Sequence, residues 1–424
     1  MNLTKKRWVI LFASCLINLC IGSTYAWSVF SSPMAAYLSE INGLTGSLIL
    51  TAGSLAMAFT ICNAVGPITM ILGGSVNDKI GPRWVIFIGG ILFGGGLLGA
   101  GFATNVLMLV LFYGLGCGLG MGMVYGCTVS NSIKFFPDRR GLIGGIATAT
   151  YGMSSVIISP IANILIDKVG ITLAFQILGI IFIVVICGGA FLIEKCPIGF
   201  VPDGYQPPIA KGASGSGIID KNWNQMIKDP VFYVMISLLI CGAFCGLMVI
   251  SQASPMVQNI VNVSPAMAAT AVSVLALFNT FGRLCAGGLS DKIGRINTLT
   301  IAFILSIIGL VFLYISKEGS LVVFMIGLSI VGIAFGSLMG VFPGFTADQF
   351  GAKNNSVNYG IMFIGFAIAG GFGPIIVGNI FSTYASYKYA FIIAMGLAAA
   401  GCILACIYRS MTSKKNCNRF WIKK

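Results

Sequence analysis

The chain has 424 residues, of which 57% are hydrophobic and only 8% charged, with 25 Lys and Arg against 11 Asp and Glu for a formal charge of +14. A soluble domain carries about 25% charged residues, so this composition excludes a soluble enzyme or regulator and defines an integral membrane protein. The absence of histidine excludes Ser/His/Asp and Cys/His catalytic sets and histidine metal sites; no metal or cofactor is expected.

Twelve apolar stretches of about 20 residues or more, the length a helix needs to cross the hydrocarbon, follow one another over 8–30, 45–73, 84–103, 106–134, 141–166, 171–193, 230–259, 266–289, 297–316, 320–346, 356–381 and 388–409. The first follows Lys5, Lys6 and Arg7 in the manner of a secretory signal. It is longer than a signal core and eleven more spans follow, so it reads as the first membrane helix. The boundary between 84–103 and 106–134 is the least marked, with almost nothing polar in it. In the fourth span Gly114, Gly118, Gly122 and Gly126 recur every four residues, with Gly116 and Gly120 on an adjacent line. Gly365, Ala369 and Gly373, followed by Pro374, do the same in the eleventh. Such ridges let helix backbones approach closely.

Between the sixth and seventh spans, 194–229 holds Pro197, Pro202, Pro207, Pro208 and the run Gly212–Gly217, the composition of an extended and then flexible linker. Trp223 to Lys228 reads as a short surface helix before Asp229-Pro230 opens the seventh span. The thirteen cysteines show no Cys-x-x-Cys pair and read as small packing residues.

Lys and Arg concentrate in the N-terminal tail, in alternate loops and in the tail from Arg409 to Lys424, whereas the other loops hold only Lys168, Lys317 and Lys388. This asymmetry is that of positive-inside topology and places both termini in the cytoplasm, with the plasma membrane the expected location. It argues against nucleic acid as the partner of the positive charge; the basic tail is expected to lie along anionic lipid.

The chain echoes itself. Gly74-Ser-Val-Asn-Asp78-Lys79-Ile-Gly81-Pro-Arg83 follows the second span and Gly287-Gly-Leu-Ser-Asp291-Lys292-Ile-Gly294-Arg295 the eighth, half a chain apart, and Pro160 in the fifth span matches Pro374 in the eleventh. An all-α fold follows: twelve transmembrane helices in two pseudo-symmetric six-helix bundles, 1–193 and 230–424, joined by a cytoplasmic linker over 194–229. One charge lies inside the second bundle's apolar run. Residues 230–282 and 284–290 carry none, and Arg283 stands between them. Arginine does not deprotonate in proteins, and a charge at the centre of a membrane helix costs about 2.5–3.5 kcal/mol even on the lenient insertion scale. A bound anion is the natural compensation. Asn279 stands four residues earlier, one turn away on the same face.

Two six-helix halves, each with Gly-x-x-x-Asp-Lys-x-Gly and a following Arg between its second and third helices, resemble the major facilitator superfamily of secondary transporters. The resemblance implies that Asp78, Lys79, Arg83, Asp291, Lys292 and Arg295 form a gating latch, with the aspartates on helix N-termini, and that a substrate site lies between the halves. Tyr25-Ala-Trp27, Phe135-Phe136-Pro137-Asp138-Arg139-Arg140-Gly141, Phe278-Asn279-Thr-Phe-Gly-Arg283 and Asn358-Tyr359-Gly360 narrow it to the oxalate–formate antiporter family, kin to the monocarboxylate transporters. The resemblance implies that Arg283 holds a substrate carboxylate, and that Tyr25, Tyr125, Tyr151, Phe335 and Phe363 enclose the site. For the mid-span Tyr125 and Tyr151, and for Tyr25, packing in the core remains the alternative reading.

Two departures matter. Where the oxalate carrier has a lysine in helix eleven, this chain has Phe366, and no Lys or Arg lies in 354–387. One Arg suits one carboxylate, so a small monocarboxylate of the lactate, pyruvate or formate type is expected, carried by alternating access. An oxalate or dicarboxylate–formate antiporter is the alternative, and a non-transporting anion sensor the alternative of another class. Where the animal-type monocarboxylate transporters have an aspartate implicated in proton coupling, this chain has Asn279, and no Asp or Glu lies in any span. That favours anion exchange over proton symport. An enzyme is not expected, because the spans offer no general acid or base beyond Tyr and Cys. The expected partners are the anion and the bilayer, and the expected state is a monomer.

Overall fold

The computed structural model describes residues 3–51, 53–205 and 220–421. Over these residues the chain is helical, with no strand, the arrangement that satisfies every backbone polar group within a segment in lipid. The first crossing begins as α1 (Leu3–Ile21), tightens into a 3-10 turn over Gly22–Ala26 and resumes as α2 (Trp27–Ile41). It therefore runs well past the predicted end at residue 30. The second crossing, α3 (Ala56–Lys79), starts and ends later than the apolar run 45–73. Gly43 and Gly46, at φ of 61° and 62°, turn the chain before it.

α4 (Pro82–Ala100) is followed by one rod made of α5 (Val106–Leu109), a π-helical stretch Val110–Cys117 and α6 (Gly118–Phe135). Hydropathy left the join between α4 and α5 faint. Local chemistry marks it: the Asn105 side chain accepts from the Met108 N–H at 2.9 Å, an N-cap that starts the next helix. α7 (Arg140–Leu192) is 53 residues long, about 80 Å at helical rise and more than twice the hydrocarbon thickness of about 30 Å. Gly170, at φ 81° and ψ 166°, breaks it into two crossings, at the boundary the sequence places between 166 and 171. Eleven helices among the described residues are long and apolar enough to cross a membrane; the break in α7 makes the crossings twelve.

In the second half, α8 (Trp223–Ile227) is closed by a capping box between Asn222 and Gln225. α9 (Pro230–Val261) starts on the Asp229 carboxylate, which accepts from the Val231 N–H at 3.1 Å. α10 (Pro265–Ile293), α11 (Arg295–Ile315), α12 (Leu321–Phe350), α13 (Asn355–Met362), α14 (Ile364–Tyr384) and α15 (Lys388–Trp421) complete the chain. The run Gly212–Gly217 and the last residues of the basic tail lie outside the described residues.

The chain divides into two compact units. One comprises Met1–Arg140, Thr150–Asp220 and Gly351–Ile361; the other comprises Gly141–Ala149, Lys221–Phe350 and Met362–Lys424. Each therefore takes in a short segment of the opposite sequence half. In the first unit α6 packs on α1, α3 and α4; in the second α12 packs on α9, α10 and α11. The glycines of the first unit's rod explain how one helix serves two neighbours. A Cβ on Gly122 would stand 2.8 Å from the Gly66 carbonyl carbon of α3, and one on Gly120 would stand 2.8 Å from the Phe93 Cα of α4. The two lines of small residues thus face two different helices.

Both repeat motifs end their helix on a glycine in the left-handed region, Gly81 at φ 121° and Gly294 at φ 92°. A side chain at either place would strain the backbone.

Candidate functional site

Arg283 lies on α10 and is 1% exposed. Its Nε donates to the Asn279 Oδ1 at 3.0 Å, one helical turn back, and its Nη1 donates to the backbone carbonyl of Thr148 at 2.7 Å. Its Nη2 is buried with no hydrogen-bond partner. A guanidinium has five N–H donors, so three remain after these two bonds. Among the described residues no carboxylate pairs with it. The two partners it has are neutral, which orients the fork without cancelling its charge.

The surroundings of α10 are built from glycine. On α12, Gly332, Gly336 and Gly340 lie against the backbone of residues 275–283; a Cβ on Gly336 would strike the Asn279 carbonyl, and one on Gly340 would stand 2.9 Å from the Arg283 Cα. On the other side, the segment Gly141–Ala149 of α7 meets α10 through Gly145, whose Cβ would strike the Arg283 carbonyl, and a Cβ on Gly287 would stand 2.9 Å from the Gly145 Cα. These glycines sit 214 residues after Gly118, Gly122 and Gly126, so the repeat could have found them. Aligning the two motif aspartates instead puts Met70, eight residues before Asp78, where Arg283 stands eight before Asp291. Met70 is buried. The cation is therefore a feature of one half only.

The predicted aromatic residues form two clusters. In the second unit Phe363 stacks on Phe366 with centroids 4.6 Å apart, and Phe335 lies 6.4 Å from Phe366. In the first unit Tyr151 meets Tyr25 at 5.0 Å and Tyr125 at 5.2 Å, both edge-on. The Tyr151 hydroxyl lies 2.9 Å from the Thr24 Oγ1 and donates to the Met121 sulfur at 3.0 Å. Thr24 and Met121 carried no sequence signal. Thr24 sits in the 3-10 turn that interrupts the first crossing, which hydropathy does not reveal.

The repeat aspartates each hold the start of a helix. Asp291 accepts from the Gly141 and Leu142 N–H groups at 2.9 and 2.8 Å and pairs with Arg295 at 2.7 Å. Arg295 also reaches Asp348 at 2.8 Å. Asp78 pairs with Lys134 at 2.6 Å and accepts from the Val357 N–H at 3.3 Å. A carboxylate at this place satisfies orphan N–H groups and the positive end of the helix dipole together. Arg83 donates instead to the Phe191 carbonyl at 3.3 Å, and Lys79 and Lys292 point outward, exposed. Lys134 and Asp348, which sequence reading passed over, are 214 residues apart at the ends of equivalent spans. The pair that completes each network is thus the same position with opposite charge.

Twelve apolar crossings among the described residues, in two units of like internal order, with Arg283 buried on α10 and paired with no carboxylate there, are the features of a membrane carrier. The chain belongs to the Major Facilitator Superfamily, whose sequence model matches residues 12–374 and 248–419. It is 29% identical over 369 residues to an uncharacterized MFS-type transporter of Escherichia coli, YhjX, covering 87% of this chain and 86% of that one. It is 28% identical over 387 residues to the oxalate:formate antiporter of Oxalobacter formigenes, covering 89% and 87%. It is 23% identical over 411 residues to monocarboxylate transporter 12 of Homo sapiens, covering 91% and 77%. Among solved structures, the transporter FucP superimposes with a TM-score of 0.70 at 15% identity over 95% of this chain and 99% of its own; that likeness concerns the fold alone.

Proposed function

We propose that this protein is a secondary transporter of small organic anions that carries a monocarboxylate on Arg283. The observation that carries this reading is a guanidinium 1% exposed with Nη2 unbonded and, among the described residues, no carboxylate partner. A carboxylate is the ligand that completes such a fork, through charge-assisted bonds about twice as strong as neutral ones. The kinship with an oxalate:formate antiporter and a monocarboxylate transporter supports the substrate class. Phe366, stacked on Phe363, supports the restriction to one negative charge: a dianion on a single cation would leave a buried charge unpaired, at a cost of several kcal/mol. Tyr25, Tyr125, Tyr151, Phe335, Phe363 and Phe366 are the proposed aromatic lining, and the networks around Asp78 and Asp291 the proposed gates.

Exchange is the proposed mode. Arg283 donates to an asparagine amide oxygen, which takes up no proton, so the empty carrier keeps a bare buried cation and cycles best when loaded. The positive-inside pattern supports a plasma-membrane protein with both termini cytoplasmic.

The test is uptake of lactate, pyruvate, formate and oxalate into proteoliposomes with and without an internal anion. The expected result is saturable monoanion uptake accelerated by preloading and abolished by Arg283→Gln. Oxalate carried as well as any monoanion overturns the substrate reading. Equal uptake into empty vesicles under an imposed pH gradient overturns exchange.

A further inference from the structure

Arg283 is bonded to a backbone carbonyl in the middle of a helix, a partner that needs no such bond. The Thr148 carbonyl lies inside α7, where the helix ladder already supplies it with an N–H. The guanidinium is thus a second donor on an occupied oxygen, and the bond joins two elements, α7 and α10. It is also one of three attachments of the same segment. Asp291 holds the first N–H groups of Gly141 and Leu142 at 2.9 and 2.8 Å. Gly145 and Gly287 bring the two backbones together at mid-segment. Arg283 fastens the far end, at Thr148. All three belong to one compact unit, whose share of α7 ends at Ala149; from Thr150 onward α7 belongs to the other.

We propose that Arg283 is a positioning residue as well as an anion ligand: it fastens residues 141–149 to α10 through the Thr148 carbonyl, and an arriving carboxylate unfastens them by taking that donor. This rests on the anion-transport reading above. The chemistry sets the direction. An ionised oxygen is a stronger acceptor for a guanidinium than a neutral, already bonded amide oxygen. Asn279 keeps hold of Nε, so the fork can swing its outer nitrogens without leaving the site. Two attachments survive, at Asp291 and at the glycines, so the segment is loosened at one end rather than released. Binding energy of the substrate is then spent on a conformational step that an empty carrier takes less readily, which a ligand can do only by interacting differently with the two states.

The test is hydrogen exchange of residues 141–149 in the purified full-length protein, with sodium formate or lactate and with sodium chloride as the control anion. A bond from a charged donor holds back opening by about tenfold or more. Arg283→Gln without ligand is expected to exchange at least about tenfold faster over this segment than wild type. Wild type with saturating formate or lactate is expected to move toward that rate, and the variant to show no response. A variant that exchanges at the wild-type rate overturns the fastening, whatever the protein transports. A wild type slowed or unmoved by an anion it demonstrably transports overturns the competition. If no carboxylate is transported at all, the substrate reading fails while the ligand-free comparison still decides whether Arg283 fastens the segment. Gly145→Ala keeps the cation and pushes the segment off α10; it is expected to speed exchange and to lower the KM for the monoanion severalfold, because the carbonyl competes less well. An unchanged or higher KM in a variant whose segment has loosened overturns the competition.

Discussion

Replacing Asn279 by aspartate changes one atom group at the most sensitive place in the protein. The amide oxygen accepts from the Arg283 Nε at 3.0 Å, and both residues are buried, so a carboxylate of the same shape inherits that bond. Two unit charges about 4 Å apart attract by about 4 kcal/mol at an effective dielectric of 20. The introduced carboxylate also loses hydration worth several kcal/mol, so the effect on stability is small. The effect on cargo is large. An incoming carboxylate now meets a neutral pair and loses much of that attraction, about 1.4–4 kcal/mol, or ten- to a thousandfold in affinity at neutral pH.

The pH dependence has a definite sign. Only the ionised form of a carboxyl at 279 cancels the guanidinium's charge. Protonation on the acid side restores a bare cation and with it anion binding. Asn279→Asp is therefore expected to raise the KM for formate or lactate at neutral pH, to recover with acidification, and to admit uptake into unloaded vesicles when the outside is acid. Initial-rate uptake across a pH series, with and without internal anion, measures all three. A variant that keeps the wild-type KM, a flat pH profile and full dependence on preloading refutes the idea that Arg283 binds cargo with no internal counter-charge.

Phe366→Lys adds a cation beside Phe363 and Phe335 and is expected to raise oxalate uptake relative to formate by about tenfold or more, read in competition assays. Lys134→Ala leaves the Asp78 carboxylate, whose side chain is 7% exposed, without its ion pair; a loss of about 3 kcal/mol is expected in detergent unfolding. The exposed Lys79→Ala is expected to change stability by less than about 0.5 kcal/mol, so equal effects would contradict the assignment of Lys134. Gly336→Leu drives a side chain into the Asn279 carbonyl; loss of folded protein by size-exclusion, or abolished transport, is expected, and a normal level of both would refute the close approach of α12 and α10.

The amino-acid sequence reveals some features of this protein and not others, for physical reasons. Arg283 was legible because a charge in an apolar run is costly and therefore conspicuous. Its partners were not: the Thr148 carbonyl is a backbone group, and backbone groups have no sequence signature. Gly332, Gly336 and Gly340 are visible through the repeat, but their role is not. They are spaced like the glycines of the fourth span, yet their meaning depends on which helix lies opposite. Lys134 was passed over in favour of Lys79, which is adjacent to Asp78 in sequence; on a helix, neighbours in sequence point apart, and the exposed Lys79 faces away while Lys134 arrives from the end of α6. Gly170 was legible as a boundary only because the chain on either side is apolar for longer than one crossing.

The sequence by itself determined that this is a membrane protein of twelve crossings built as a repeat, with one cation in its second half, because hydropathy, charge placement and repetition are properties of residues in order. Tertiary structure alone decided which groups meet that cation, which basic residues close the two aspartate networks, and that residues 141–149 and 351–361 pack with the sequence half they do not come from. Those outcomes depend on helix faces and crossing points, and these are fixed by glycine contacts between different helices.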